Sequence, residues 1–326
     1  MKKVVSLVLA LVIVFSLCSL VGCGAEALKF GMGSYSYIEE VKSADGDTNG
    51  LGEYVTTVAA VLLSKDGKIL DAVIDTADNK VEFTAEGKVV APAEFKTKYE
   101  QGDNYGMKAY GGAKKEWYEQ VDAFVDAVKG KTIDEVKAFV ADDGKGKDDV
   151  VSAGCTIAVA DFVKALEKAV SNAADSNANK NSTLKLGVVS TAEETKDAQD
   201  AENGVIEIAT TFVANAMSDG KVVASAADAL SVKFDFDAKG VTTTDASAKI
   251  ETKYEKGDNY GMKAYGGAKK EWYEQADAFT GECVGKTADE IAKLVAEDGK
   301  GVDSLTTAGC TIYVSDLVKA AVKAAK

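Results

Sequence analysis

Apolar and β-branched residues crowd the stretch Glu53–Leu63 until Lys65-Asp66-Gly67-Lys68 interrupts it with hairpin-turn chemistry. Ile69–Asp75 then returns with alternating apolar positions, the pattern of a strand with one face turned to a core. Glu86-Gly87 predicts a second turn and a further hairpin. The same grammar recurs downstream: an apolar run at Val205–Met217, a turn at Asp219-Gly220, strands around Val222 and Val232–Phe236, and a turn at Lys239-Gly240.

After each set of strands the period changes from two to that of a helix. Trp117, Val121, Phe124, Val125 and Val128 share one helical face, and Trp272, Ala276, Phe279 and Cys283 repeat it. Thr132 with Glu135, and Thr287 with Glu290, predict capping boxes, in which hydroxyl and carboxylate satisfy orphan backbone donors at a helix start. A last helix is marked by Val159, Phe162, Val163 and Leu166, matched by Val314, Leu317 and Val318. Hairpins followed by helices predict an α+β fold, each module an antiparallel hairpin-rich sheet followed by about three helices.

The two halves are one module written twice. Residues 98–120 read KYEQGDNYGMKAYGGAKKEWYEQ, and residues 253–275 repeat them with a single change, Gln101 against Lys256. A period of about 155 residues is that of a domain and not of a solenoid repeat. Module one is expected over 28–170 and module two over 184–326. The polar stretch SNAADSNANKNST at 171–183 reads as the linker between them. Leu184-Lys185-Leu186-Gly187 echoes Leu28-Lys29-Phe30-Gly31.

The first 22 residues have a different character. Lys2 and Lys3 precede an apolar run from Val4 to Val21, as in a secretory signal. Leu20-Val21-Gly22-Cys23 resembles the cleavage box of bacterial lipoproteins. That resemblance implies a mature chain that starts at Cys23, carries lipid such as palmitate there, and stays extracytoplasmic on a membrane through a tether at 23–27. An uncleaved transmembrane anchor is the other reading of the apolar run.

Composition narrows the chemistry. The chain has 38 basic against 52 acidic residues, a net charge of −14, and neither Arg nor His. Without basic stripes, nucleic acid is not an expected partner. Without His, serine- or cysteine-hydrolase dyads and His-ligated metal centres are excluded. Once Cys18 leaves with the signal and Cys23 carries lipid, three thiols remain, Cys155, Cys283 and Cys310, an odd number that excludes a full disulfide framework. Cys283 stands where module one has Val128 and reads as a small buried apolar residue.

The most specific local signal lies just before the last helix of each module. Module one reads Asp149-Val150-Val151-Ser152-Ala153-Gly154-Cys155-Thr156-Ile157, and module two reads Leu305-Thr306-Thr307-Ala308-Gly309-Cys310-Thr311-Ile312. These segments resemble the flavinylation signature of FMN-binding-domain proteins, in which Asp, then Ser/Thr-Gly-Ala-Thr, opens an Ala-rich C-terminal helix. In that family a flavin transferase links FMN through its phosphate to the threonine hydroxyl. The resemblance implies Thr156 and Thr311 as attachment points, with Gly154 and Gly309 leaving room for the phosphate and the modifying enzyme. It holds as Gly-x-Thr plus helix: Ala153 and Ala308 replace the hydroxyl residue, and Cys155 and Cys310 replace the alanine. Module two has Ser304 where module one has Asp149. The helix that follows is expected to point backbone N–H groups at the phosphodiester, with Lys108, Lys114 and Lys115 as candidate cations. The alternative is that both threonines cap a helix.

The repeated segment is the second candidate surface. Tyr105, Tyr110, Trp117 and Tyr118 stand among glycine pairs and lysines, and an isoalloxazine stacks on such rings. Tyr105, Met107 and Lys108, with Tyr260, Met262 and Lys263, are therefore candidate cofactor-binding residues, although Met107 and Met262 also suit gap filling. The segment Ser43–Gly50 begins like a calcium loop but has Thr56 where the twelfth position needs Glu, so it reads as a polar turn. The Asp143–Gly146 and Asp298–Gly301 loops lack the rest of a phosphate-loop motif and read as surface turns. The expectation is a surface lipoprotein with two FMN-binding-like modules acting as an electron carrier, with a redox partner or a flavin transferase as its partner. The alternative is a ligand- or partner-binding lipoprotein without covalent FMN.

Overall fold

A computed structural model of the chain describes residues 27–91 and 94–326. The signal segment 1–22 and the lipidation position Cys23 lie outside the described residues. The chain is α+β. Module one opens with three long antiparallel strands, β1 (Lys29–Lys42), β2 (Gly50–Leu63) and β3 (Ile69–Phe83), and a short β4 (Val89–Val90). Five helices follow: α1 (Lys98–Gln101), α2 (Trp117–Val128), α3 (Ile133–Lys137), α4 (Asp148–Ala153) and α5 (Ala160–Ser171). Both expected hairpins form. Gly67 closes the β2–β3 turn by donating to Ser64 O, and Gly87 closes the β3–β4 turn by donating to Thr84 O.

Module two repeats the plan with β6 (Thr183–Lys196), β7 (Gly204–Ser218) and β8 (Lys221–Phe236), then α6 (Lys253–Lys256), α7 (Trp272–Cys283), α8 (Ala288–Ile291), α9 (Asp303–Ala308) and α10 (Ser315–Lys323). The segments around Val222 and Val232 are one strand, not two. Each module has more than three helices because the links between the long ones form single turns. The Thr132–Glu135 and Thr287–Glu290 capping boxes are present, and a further pair, Thr97–Glu100 and Thr252–Glu255, opens α1 and α6.

With β5 the two-residue strand Ala174–Asp175, the two sheets have the orders β4-β3-β2-β1-β5 and β6-β7-β8. Strand β5 lies inside the polar stretch 171–183 and pairs with Phe30 and Lys29 of β1. Strand irregularities fall at Ile38/Glu40 in β1 and at Ala192/Glu194 in β6, so the register equates Gly187 with Gly33, two residues beyond the sequence echo. An even slip keeps every side chain on its own face.

The sheets stack face to face. Tyr54, Val58, Ala60 and Leu62 of β2 share one buried cluster with Ile206, Ile208, Phe212 and Phe234 of module two. The other face of β2, Ala59, Val61 and Leu63, packs under α2 and α5. The result is four layers: helices, sheet, sheet, helices. It explains why β2 is almost wholly buried and reads as a continuous apolar run without alternation. Helix and strand approach closely on the outer sides. A Cβ at Gly31 would sit 2.1 Å from Ala169 O, and one at Gly187 would sit 2.0 Å from Ala320 O.

Candidate functional site

Thr156 follows Gly154, which ends α4 in the left-handed region at φ 102°. Glycine suits that conformation because it lacks the Cβ that would clash. The reversal drops Cys155 into the core and leaves Thr156 exposed. Module two repeats this with Gly309 at φ 97°, buried Cys310 and exposed Thr311.

One buried side chain holds each threonine. Gln120, on the inner face of α2, accepts from Thr156 N and Thr156 Oγ1, both at 2.9 Å. Its amide nitrogen donates to Lys115 O at 3.1 Å and reaches Met107 Sδ at 3.8 Å. Gln275 does the same: Thr311 N and Oγ1 donate to its Oε1 at 2.8 and 3.0 Å, while its amide meets Lys270 O and Met262 Sδ. With its proton committed to the glutamine, each hydroxyl keeps its lone pairs free toward solvent.

The lysine beside each site is Lys115 or Lys270. Lys115 Nζ lies over Gly154 and donates to Ala153 O, and Lys270 Nζ donates to Ala308 O at 3.1 Å. These ammonium groups cap the carbonyl ends of α4 and α9 next to the threonines. Lys108 and Lys263 do not serve there; they pair with Glu119 and Glu274 at 3.1 and 3.0 Å. Lys114 is exposed.

The repeated loop is built on a second buried group. Glu116 accepts from Met107 N at 2.8 Å and Lys108 N at 3.2 Å, and Glu271 repeats this with Met262 and Lys263. Those carboxylates tie residues 106–116 and 261–271 into closed loops that lead into α2 and α7, the helices carrying Gln120 and Gln275. Met107 and Tyr105 pack partly buried against the module-one core, and Tyr260 and Met262 do so in module two. Lys98 Nζ stands 5.4 Å from the Tyr105 ring centre, and Lys253 Nζ stands 5.7 Å from that of Tyr260. The loop tips carry Tyr110 and Tyr265, each 91% exposed.

The final helix does not meet the expectation of free N–H groups facing the threonine. Val159 precedes α5, and the amides of Val159 and Ala160 both donate to Gly144 O of the Asp143–Gly146 loop. Val314 donates likewise to Gly299 O. The DGKG loops thus cap the last helices, and Thr156 and Thr311, three residues ahead of those caps, are not capping residues.

The helix-side face of the sheet next to α5 differs between modules. Lys164 Nζ lies 4.0 Å from the Tyr35 ring centre, and burial together with Asp161 and Glu39 pushes the Tyr37 hydroxyl pKa up. At the matching register module two has Val189 and Thr191, and Thr191 donates to Asp316. Burial also raises the thiols of Cys155 to about 11, Cys283 to about 12 and Cys310 to about 11. All three are free and buried. Among the described residues no group of His, Cys, Asp and Glu is placed to hold a metal ion, and no helix is long and apolar enough to cross a membrane.

Sequence reasoning identified Thr156, Thr311, Gly154, Gly309, Met107 and Met262, which the structure brings together in their two sets. It missed Gln120 and Gln275. Their signal was present: each is a polar residue three positions after the tryptophan on an otherwise apolar helical face.

No family model and no solved structure matches the chain significantly. A chlorophenol reductase from Desulfitobacterium hafniense is 31% identical to it over 130 residues, covering 36% of this chain. The chain spans about 39% of that relative's length.

Proposed function

We propose that this chain is a membrane-anchored extracytoplasmic lipoprotein whose modules each present one threonine, Thr156 or Thr311, to the phosphate of FMN, and that it serves as an electron carrier. The observation that carries the reading is the exposed hydroxyl held by a buried glutamine beside a lysine, built twice from the same residue types. The residues fit a phosphate ester: Thr156 and Thr311 are exposed, and the Lys115 or Lys270 ammonium, which lies over the preceding glycine, offsets negative charge close by. Flavin, once attached, supplies the electron-accepting ring. Gln120 and Gln275 orient the acceptor oxygen, and Tyr105 and Tyr260, two residues before the methionines that those glutamines touch, offer aromatic rings. The relative named a reductase is in keeping with a redox role, over a length close to one module. Intact mass after co-expression with a flavin transferase tests the reading. Two FMN additions are expected, and Thr156→Ala and Thr311→Ala should each remove one. An unmodified wild-type mass rejects covalent attachment.

A second reading, a binding lipoprotein without covalent FMN, is favoured by Tyr110 and Tyr265. Each ring rests against a glycine, Gly106 or Gly261, with its outer face open. Thermal shift separates the readings: stabilisation by free FMN supports the flavin site, and indifference to every flavin supports the exposed tyrosines as the working surface.

A further inference from the structure

The contacts between the modules come in reciprocal pairs. Ala44 N donates to Gly240 O, and its counterpart Ala198 N donates to Gly87 O, both at 2.8 Å. Lys168 pairs with Glu255, and its counterpart Lys323 pairs with Glu100. Phe83 and Phe236 end matching strands and stack on each other at 4.3 Å. Equivalent residues that exchange partners define an isologous, two-fold interface, here closed within one polypeptide.

The two faces are not the same size. Gly52 and Val81 are paired neighbours on β2 and β3 in module one, and Ile206 and Phe234 occupy the matching pair of positions in module two. All three apolar side chains lie in the shared core. The Phe234 ring fills the space over Gly52, where a Cβ would sit 2.4 Å from Cδ1 and Cγ. A polar asymmetry accompanies this. Asn79 donates across the interface to Ser190 and Thr210, while the position matching Asn79 is Val232.

We propose that the Gly52/Val81 face and the Ile206/Phe234 face form a small-against-large pair that commits each module to its unlike sibling. Two copies of module two would set Ile206 where only glycine clears Phe234, and two copies of module one would set Gly52 opposite Val81 with the ring missing. Specificity then rests on a clash in one wrong pairing and a void in the other. The occupant of each face is the other module, and the exposed turn at Lys180–Asn181 serves to connect, not to hold.

The folded full-length chain supports a direct test. A protease site is inserted at Lys180–Asn181, the chain is cleaved, and the halves are followed by size-exclusion chromatography and native mass spectrometry. Wild-type halves should stay together as one unlike pair. Gly52→Ile should weaken their association, Phe234→Val should weaken it by roughly tenfold or more through the cavity it leaves, and the double variant should recover affinity because it rebuilds the Ile-against-Val contact of the other side. Phe234→Val alone keeps the test decisive if Gly52→Ile does not fold. The proposal is overturned if wild-type halves separate on cleavage, if Phe234→Val holds as tightly as wild type, if the double variant is no tighter than Gly52→Ile, or if mixing differently tagged cleaved samples yields pairs of module two with itself.

Discussion

Thr156 spends both its amide N–H and its hydroxyl proton on a single atom, Gln120 Oε1, at 2.9 Å each. A side chain held at two points has few rotamers left, so the exposed oxygen is presented in one direction. Gln120→Leu removes both bonds while keeping the volume of the core. It should cost about 1–3 kcal/mol of stability and speed amide exchange at Thr156, measurable by urea denaturation and hydrogen-exchange mass spectrometry. Under co-expression with a flavin transferase it should also reduce incorporation at Thr156 while leaving Thr311 unaffected.

The helix layer lies so close to the sheet that a methyl group cannot be added between them. Gly187→Ala would drive a Cβ into the backbone oxygen of Ala320, which cannot rotate away. A loss of about 1–3 kcal/mol is expected, seen as a lower urea midpoint with an unchanged m-value. Ser190→Ala, on the same strand but facing the other sheet, should change stability through its hydrogen bonds to Asn79 and Thr210 without moving the helix.

Acidity should change stability in an unusual direction. Burial raises the Asp75 carboxyl to about 7, against hydrogen bonds from Thr76 N and Tyr99 N that favour its charge. Asp228 is likewise raised to about 7 by burial. The folded state therefore keeps protons that the unfolded chain releases near pH 4. Their contribution is full below about pH 4, falls as pH rises toward 7, and is flat above that. Thermal melts between pH 4 and 8 should show this loss, and Asp75→Asn should remove part of the slope.

The three thiols should be silent in the native protein. Burial both shields Cys155, Cys283 and Cys310 and raises their pKa values, so little thiolate is present or reachable. Ellman's reagent at pH 8 should register none of them until denaturant is added. Rapid native labelling would show that the modules open locally.

Much of this architecture was legible in the sequence because local signals agree with the final structure. The Lys65–Lys68 turn, the Thr132–Glu135 box and the Trp117–Val128 face are short-range patterns whose partners lie within a few residues. What escaped depended on distant partners. The continuous apolar run of β2 gave no hint of a second sheet behind it, since burial on both faces erases alternation. Gln120 stands out in the sequence only as a polar residue on an apolar face, and its role shows only when it meets the donors of Thr156, 36 residues along the chain. Gly52 was equally silent, since the ring it accommodates belongs to the other module.

The polar stretch that ends in β6 has a thermodynamic role of its own. Because Asp175 pairs with Lys29 and Leu28 N donates to Ala178 O, the connection is short and fastened to the first sheet. The sibling faces therefore meet at an effective concentration in the millimolar range, however dilute the protein is. In a two-chain version the pairing would depend on the concentration of each half. This chain carries its own stoichiometry, one to one, wherever it is placed.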